Sequence, residues 1–177
     1  MQVYTLYLNT AITNPVSNLI VPVNVADKAN ATWMVDFRSL FNGANEKYRR
    51  CSLKFSIQSN QWTAAGTDWN NYNGYLTINI PSRYGSSTTN GTQLGMIYPV
   101  DVPTTNTTNH CFLNTTLNQP QGIDILAPGD NTFLNVRFLN NDSYSTMGSS
   151  VPDYQLLLQF EFSEPLETKV SSDVPFF

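Results

Sequence analysis

The chain has 177 residues, of which 41% are hydrophobic and only 12% charged, with a net charge of −4; roughly 25% charged is typical of soluble domains. The length fits one domain of ordinary size, large enough to fold without disulfide or metal staples. A chain so short of cations offers no basic face for nucleic acid, it holds no run of ~18 apolar residues to span a membrane, and its two cysteines, Cys51 and Cys111, are too few for a disulfide framework or a zinc site.

Asn, Thr and Ser stand where the charge is missing. They compete with the backbone inside helices but suit turns, and Thr suits strands, so β structure is expected throughout. Residues 1–8 carry Val3, Tyr4, Leu6, Tyr7 and Leu8, a strand-forming opening. Residues 19–25 are interrupted by Pro22, which confines them to an edge strand or an extended arm. Residues 31–37 alternate Trp33, Val35 and Phe37 against Met34 and Asp36, and a short helical turn is expected over 38–42. Residues 51–57 give the cleanest alternation, Cys51, Leu53, Phe55 and Ile57 against Ser52, Lys54 and Ser56. Residues 72–80 place Tyr72, Gly74, Leu76, Ile78 and Ile80 on one face and Tyr75, Thr77 and Asn79 on the other. Further strands are expected at 94–100, 110–115, 122–126, 132–139 and 154–162. The last alternates Leu156, Leu158, Phe160 and Phe162 against Gln155, Leu157, Gln159 and Glu161. Turns are expected at Asn42-Gly43, Asn90-Gly91, Pro128-Gly129-Asp130-Asn131 and 147–152, because Asn and Gly tolerate positive φ. Asn73-Gly74 reads as a turn or as a bulge within its strand.

Setting aside the first two segments, eight strands remain, the count of an all-β jelly-roll sandwich of two packed sheets. The expected division is an N-terminal arm with edge strands over 1–29, a single eight-stranded jelly-roll domain over 30–163 and a short C-terminal tail over 164–177. An immunoglobulin-like sandwich is the rival, since periodicity does not fix strand order.

Residues able to do chemistry are few. His110 adjoins Cys111, and neighbouring strand residues point to opposite faces, so the two do not form a catalytic pair. Glu161, Glu164, Asp36, Asp68, Asp124, Asp153 and Glu167 are the carboxylates that could serve a glycoside hydrolase, but Glu161 and Asp36 are expected on solvent-facing sides of their strands. Asp130-Asn131 and Asn140-Asn141-Asp142-Ser143 suit turns better than calcium, and no phosphate loop or nucleophile elbow occurs. No catalytic, cofactor-binding or metal-binding residue is therefore expected, and the chain is not read as an enzyme. Lys47, Tyr48, Arg49, Arg50 and Lys54 are read as a solvated strand entry rather than a phosphate site. Cys51 and Cys111 are read as reduced, buried thiols, a single bridge being the alternative. The opening residues give no signal-peptide pattern, so the sequons at Asn30, Asn90, Asn106, Asn114 and Asn141 are expected to stay bare. Trp62, Trp69, Tyr72, Tyr75 and Tyr84 crowd one region, where they would stack on sugars, as in a carbohydrate-binding or host-attachment domain, cap one end of the core, or pack against a neighbouring subunit.

One series of motifs is more specific. Trp33-Met34-Val35-Asp36-Phe37-Arg38-Ser39-Leu40-Phe41 is followed by Cys51-Ser52-Leu53-Lys54-Phe55-Ser56, Leu94-Gly95-Met96-Ile97-Tyr98-Pro99, Phe138-Leu139-Asn140-Asn141 and Pro152-Asp153-Tyr154-Gln155-Leu156-Leu157-Leu158-Gln159-Phe160-Glu161. Spanning about residues 30–163, it resembles small single-jelly-roll minor capsid or penton proteins of large double-stranded DNA viruses and their virophages. The resemblance carries no catalytic signature. It implies a structural virion protein, made in the host cytoplasm, that closes a vertex as a pentamer or cements the lattice of the major capsid protein, with no nucleic acid bound and no membrane crossed. Phe176 and Phe177, apolar groups that a free monomer gains nothing by exposing, and Trp62 and Trp69 are the expected subunit contacts.

Overall fold

The computed structural model describes residues 1–15, 17–59, 74–83, 87–88, 91–97, 114–115, 122–140, 151 and 153–166. Among them the elements run β1 (Gln2–Asn9), β2 (Ile20–Asn24), β3 (Asn30–Asp36), α1 (Phe37–Phe41), α2 (Ala44–Lys47), β4 (Tyr48–Ser59), β5 (Gly74–Ile78), β6 (Ser87–Thr88), β7 (Gly91–Ile97), β8 (Asn114–Thr115), β9 (Ile123–Ile125), β10 (Asn131–Asn140) and β11 (Tyr154–Pro165). The fold is all-β: two antiparallel sheets with little helix. The first sheet is ordered β1-β11-β4, with β9 along the first half of β4 and β8 along its second. The second is ordered β2-β3-β10-β5-β7-β6.

The pairing is nested. β1 pairs β11, β3 pairs β10, β4 pairs β9 and β5 pairs β7, so strands early in the chain meet strands progressively late in it. The ladder of the outermost pair is unbroken from Gln2↔Phe162 to Asn9↔Gln155.

Alternation decides which side of each strand is buried. Tyr154, Leu156, Leu158, Phe160 and Phe162 of β11 and Cys51, Leu53, Phe55 and Ile57 of β4 point into one layer. Ala31, Trp33 and Val35 of β3 and Leu134, Val136 and Phe138 of β10 face them from the other sheet. Burying each of the larger side chains is worth roughly 1.5–3 kcal/mol. One end of this layer is aromatic. Phe41 of α1 lies 5.1 Å from Phe160 and 4.9 Å from Phe162 between ring centroids, both edge-on, and Tyr4 meets the same ring at 5.6 Å.

The helical turn expected over 38–42 is α1. Asp36 caps it, its carboxylate accepting the Ser39 N–H at 3.1 Å and the Ser39 hydroxyl at 2.6 Å. Asn42 and Gly43 end it with φ of 46° and 75°, a left-handed pair that Asn and Gly adopt at low cost. Gly122 has φ of 41° and its α-carbon sits so close to the Leu53 carbonyl that an added Cβ would lie 3.0 Å from that oxygen.

One expectation changes. The opening strand is not an arm outside the core: Leu6 and Leu8 of β1 are each 1% exposed, and Val25 and Ala29 are buried too. The sequence hid this because both faces of residues 3–8 are apolar, so no alternation marked an inner side. The strands expected at 94–100 and 110–115 are seen as Gly91–Ile97 and Asn114–Thr115, the rest of those spans lying outside the described residues. Pro22 keeps its expected place on an edge: among the described strands β2 pairs only β3, with a register shift between Pro22 and Asn24.

Candidate interaction surface

The outer side of the first sheet carries Val3, Thr5 and Tyr7 from β1, Leu157, Gln159 and Glu161 from β11, and Ser52, Lys54 and Ser56 from β4. The register sets Val3, Glu161 and Ser52 in one row and Tyr7, Leu157 and Ser56 in another. Its charges are matched. The Lys54 ammonium donates to Glu161 at 2.9 Å, and the Arg50 guanidinium forks onto both oxygens of Asp124 at 2.8 and 2.9 Å, with Glu164 at 3.7 Å. The basic cluster read from the sequence is therefore answered by carboxylates at Arg50 and Lys54.

Strand β1 is the margin of this surface. Among the described residues it pairs only with β11, and its other edge is open. It has no charged residue, no proline and no bulge, the three devices that usually blunt an edge strand. Val3 and Tyr7 are 43% and 47% exposed. The margin of the second sheet, β2, carries both Pro22 and a register shift.

Where the chain crosses from β1 to β2 the two sheet margins leave a cavity of about 200 Å³. Tyr7, Leu8, Ile12, Ile20, Pro22 and Trp33 give it an apolar wall, and Asn9, Asn14 and Ser17 lie at its rim or lining. Thr10 pins the strand end beside it: its hydroxyl donates to Asp153 Oδ1 at 3.0 Å and accepts the Tyr154 N–H at 3.0 Å. Lys28 closes the same corner with an ion pair to Asp153 at 3.0 Å.

The outer side of the second sheet is held mainly by amides, with the Arg137 guanidinium joining them by donating to Asn30 Oδ1 at 3.2 Å. Asn135 donates its side-chain amide to Asn30 Oδ1 at 2.8 Å and to the Thr32 hydroxyl at 2.9 Å, while its own N–H donates to Asn79 Oδ1 at 2.8 Å. Asn79 in turn donates to the Phe133 carbonyl at 2.7 Å. Asn30, read from the sequence as a sequon, thus has its side-chain oxygen engaged within the sheet. Phe133 stands beside this network, 59% exposed.

Among the described residues, the carboxylates considered for chemistry each have a local partner. Asp36 caps α1, and the Ser39 hydroxyl and N–H hold its carboxyl below the usual carboxylate range. Glu161, Asp124, Glu164 and Asp153 are held by Lys54, Arg50 and Lys28. Glu161 and Asp124 do face one another across Ser52, but each already has its own cation. Among the described residues no three His, Cys, Asp or Glu side chains come together as metal ligands. Cys51 is a buried free thiol, and burial pushes its pKa up to about 12. No helix among the described residues is long and apolar enough to cross a membrane.

Trp62, Trp69, Phe176 and Phe177, the contacts expected from the sequence, lie outside the described residues, as do His110, Cys111, Asp68, Tyr72, Tyr84 and Glu167. The open edge of β1 and the cavity were not read from the sequence. The one available signal was an eight-residue strand, Gln2–Asn9, without a charge. No family model matches the chain, and a search of curated proteins finds none that matches it.

Proposed function

We propose that the chain is a structural component of an icosahedral viral capsid, a minor capsid or penton protein built on an eight-stranded jelly roll. The observation that carries the reading is the nested pairing. Taken in chain order, β1, β3, β4, β5, β7, β9, β10 and β11 divide into a sheet ordered β1-β11-β4-β9 and a sheet ordered β3-β10-β5-β7. A long hairpin rolled upon itself has this arrangement, first strand on last and second on second-last, which is how a jelly roll distributes eight strands over two sheets. On this reading β2, β6 and β8 are additions at the margins.

The surface supports the assembly role. A sheet margin without charge, an outer side whose charges are paired, and a second outer side held mainly by amides all cost little to bury against a neighbour. The sequence resemblance to single-jelly-roll minor capsid and penton proteins points the same way. Partners on this reading are further copies of the chain and the major capsid protein. Native mass spectrometry of the purified chain tests it. A closed oligomer is expected, and a pentamer would mark a vertex position. A chain that stays monomeric up to high micromolar concentration, with and without the major capsid protein, would sink the reading.

A further inference from the structure

We infer that the apolar cavity between β1 and β2 is a socket for the segment around Phe176 and Phe177 of a second copy of the chain. The inference rests on the self-assembly reading above and names the contact that would make it.

The socket fits an aromatic ring. Its wall is formed by Tyr7, Leu8, Ile12, Ile20, Pro22 and Trp33, and its volume is about 200 Å³. An apolar cavity of about 150 Å³ already admits benzene. The site opens at a sheet margin, where Tyr7 and Ile12 are 47% and 37% exposed, so a ring can enter without unfolding the sandwich. Its neighbour along the margin is the uncharged open edge of β1, which can hold an extended chain by main-chain hydrogen bonds while a side chain fills the pocket. Val174-Pro175-Phe176-Phe177 is the most apolar stretch of the chain beyond β11.

Geometry favours a second copy over the chain's own end. The β11 ladder sets Leu8 opposite Leu156, ten residues back from Leu166, a run of about 33 Å. Phe176 lies ten residues beyond Leu166, and ten residues span at most ~36 Å fully extended. Leu166 also leaves on the wrong side, its N–H donating to the Lys47 carbonyl at 2.9 Å beside β4. The cavity lies across β11 and β1, a sideways shift of about 10 Å. Only a taut chain could bring a copy's own Phe176 to its own socket, whereas a neighbouring copy has no such restriction.

The test uses the 177-residue chain with Phe176→p-benzoylphenylalanine, prepared as a mixture of ¹⁵N-labelled and unlabelled copies, irradiated and mapped by mass spectrometry. Cross-links from position 176 to peptides within residues 7–22, with mixed isotopes across the link, are expected. In parallel, Phe176→Ala/Phe177→Ala and, at the socket mouth, Ile12→Asp should each raise the dissociation constant of the oligomer at least tenfold. Circular dichroism identical to the parent chain shows that the variants are folded. Mixed-isotope links elsewhere, links confined to one isotope, or oligomers undisturbed in folded variants overturn this inference and leave self-assembly standing. A parent chain that stays monomeric with and without the major capsid protein and gives no mixed-isotope link overturns both.

Discussion

Tyr154 lies in the core against Phe138, with 5.0 Å between ring centroids, and its hydroxyl finds no hydrogen-bond partner among the described residues. A buried hydroxyl left unmatched forfeits its hydration without return, and burial pushes its pKa well above the usual tyrosine range. Tyr154→Phe removes the group and keeps the ring, so it should stabilise the fold by about 1 kcal/mol in urea unfolding. Cys51 makes a second test, through pH. Its folded-state pKa is raised from 9.0 to about 12, so the folded chain holds this proton more tightly than the unfolded chain does. The thiol's contribution is therefore intact below about pH 9 and is lost as pH rises from 9 towards 12. Cys51→Ala should unfold with a shallower loss of stability across that window than the parent chain. The burial of Cys51 was legible because residues 51–57 alternate without exception. The unsatisfied hydroxyl of Tyr154 was not, because alternation gives the side of a strand a residue occupies and says nothing about which polar atoms wait there.

Strand β1 has the composition of an interior strand and the position of an edge. Placing a charge in the middle of its outer side should separate folding from association. Thr5→Lys faces away from the core and should change stability by no more than about 0.5 kcal/mol. It should also weaken the oligomer, seen as a shift towards monomer in native mass spectra, because an edge lysine discourages strand addition. Some elements could be read without coordinates. The helical turn over 38–42 and the Asn42-Gly43 stop were read from the sequence, and Pro22 consigned β2 to a margin, whereas the Asp36 cap on Ser39 was not read. β1 was read within an arm with edge strands and left out of the core because Val3 and Tyr7 present large side chains on one face as Leu6 and Leu8 do on the other, so only its pairing with β11 shows which set points inward.

Taken as one body, the chain keeps its core between two sheets and presents little net charge on their outer sides. The expectation of two packed sheets followed from eight alternating segments. Their order did not, because alternation reports a strand's environment and not its neighbour: nothing near Tyr4 announces that it will lie opposite Phe160. The socket escaped notice for a related reason. Its wall is drawn from Tyr7, Ile12, Ile20 and Trp33, residues separated by turns and by a change of sheet, which only the closed fold brings around one space.

The pairing of Gln2 with Phe162 also sets a clock. Among the described strands β1 is synthesised before β11, and at ~5–20 residues per second roughly 8–30 s pass between their appearances. For that interval an uncharged, strand-prone segment is without its partner, beside every other nascent copy in the same state. Topologies dominated by distant contacts are also slow to close once complete, in milliseconds to seconds. The chain is thus most prone to wrong pairing before release from the ribosome, and its yield in the cell should depend on what shields residues 2–9 during those seconds.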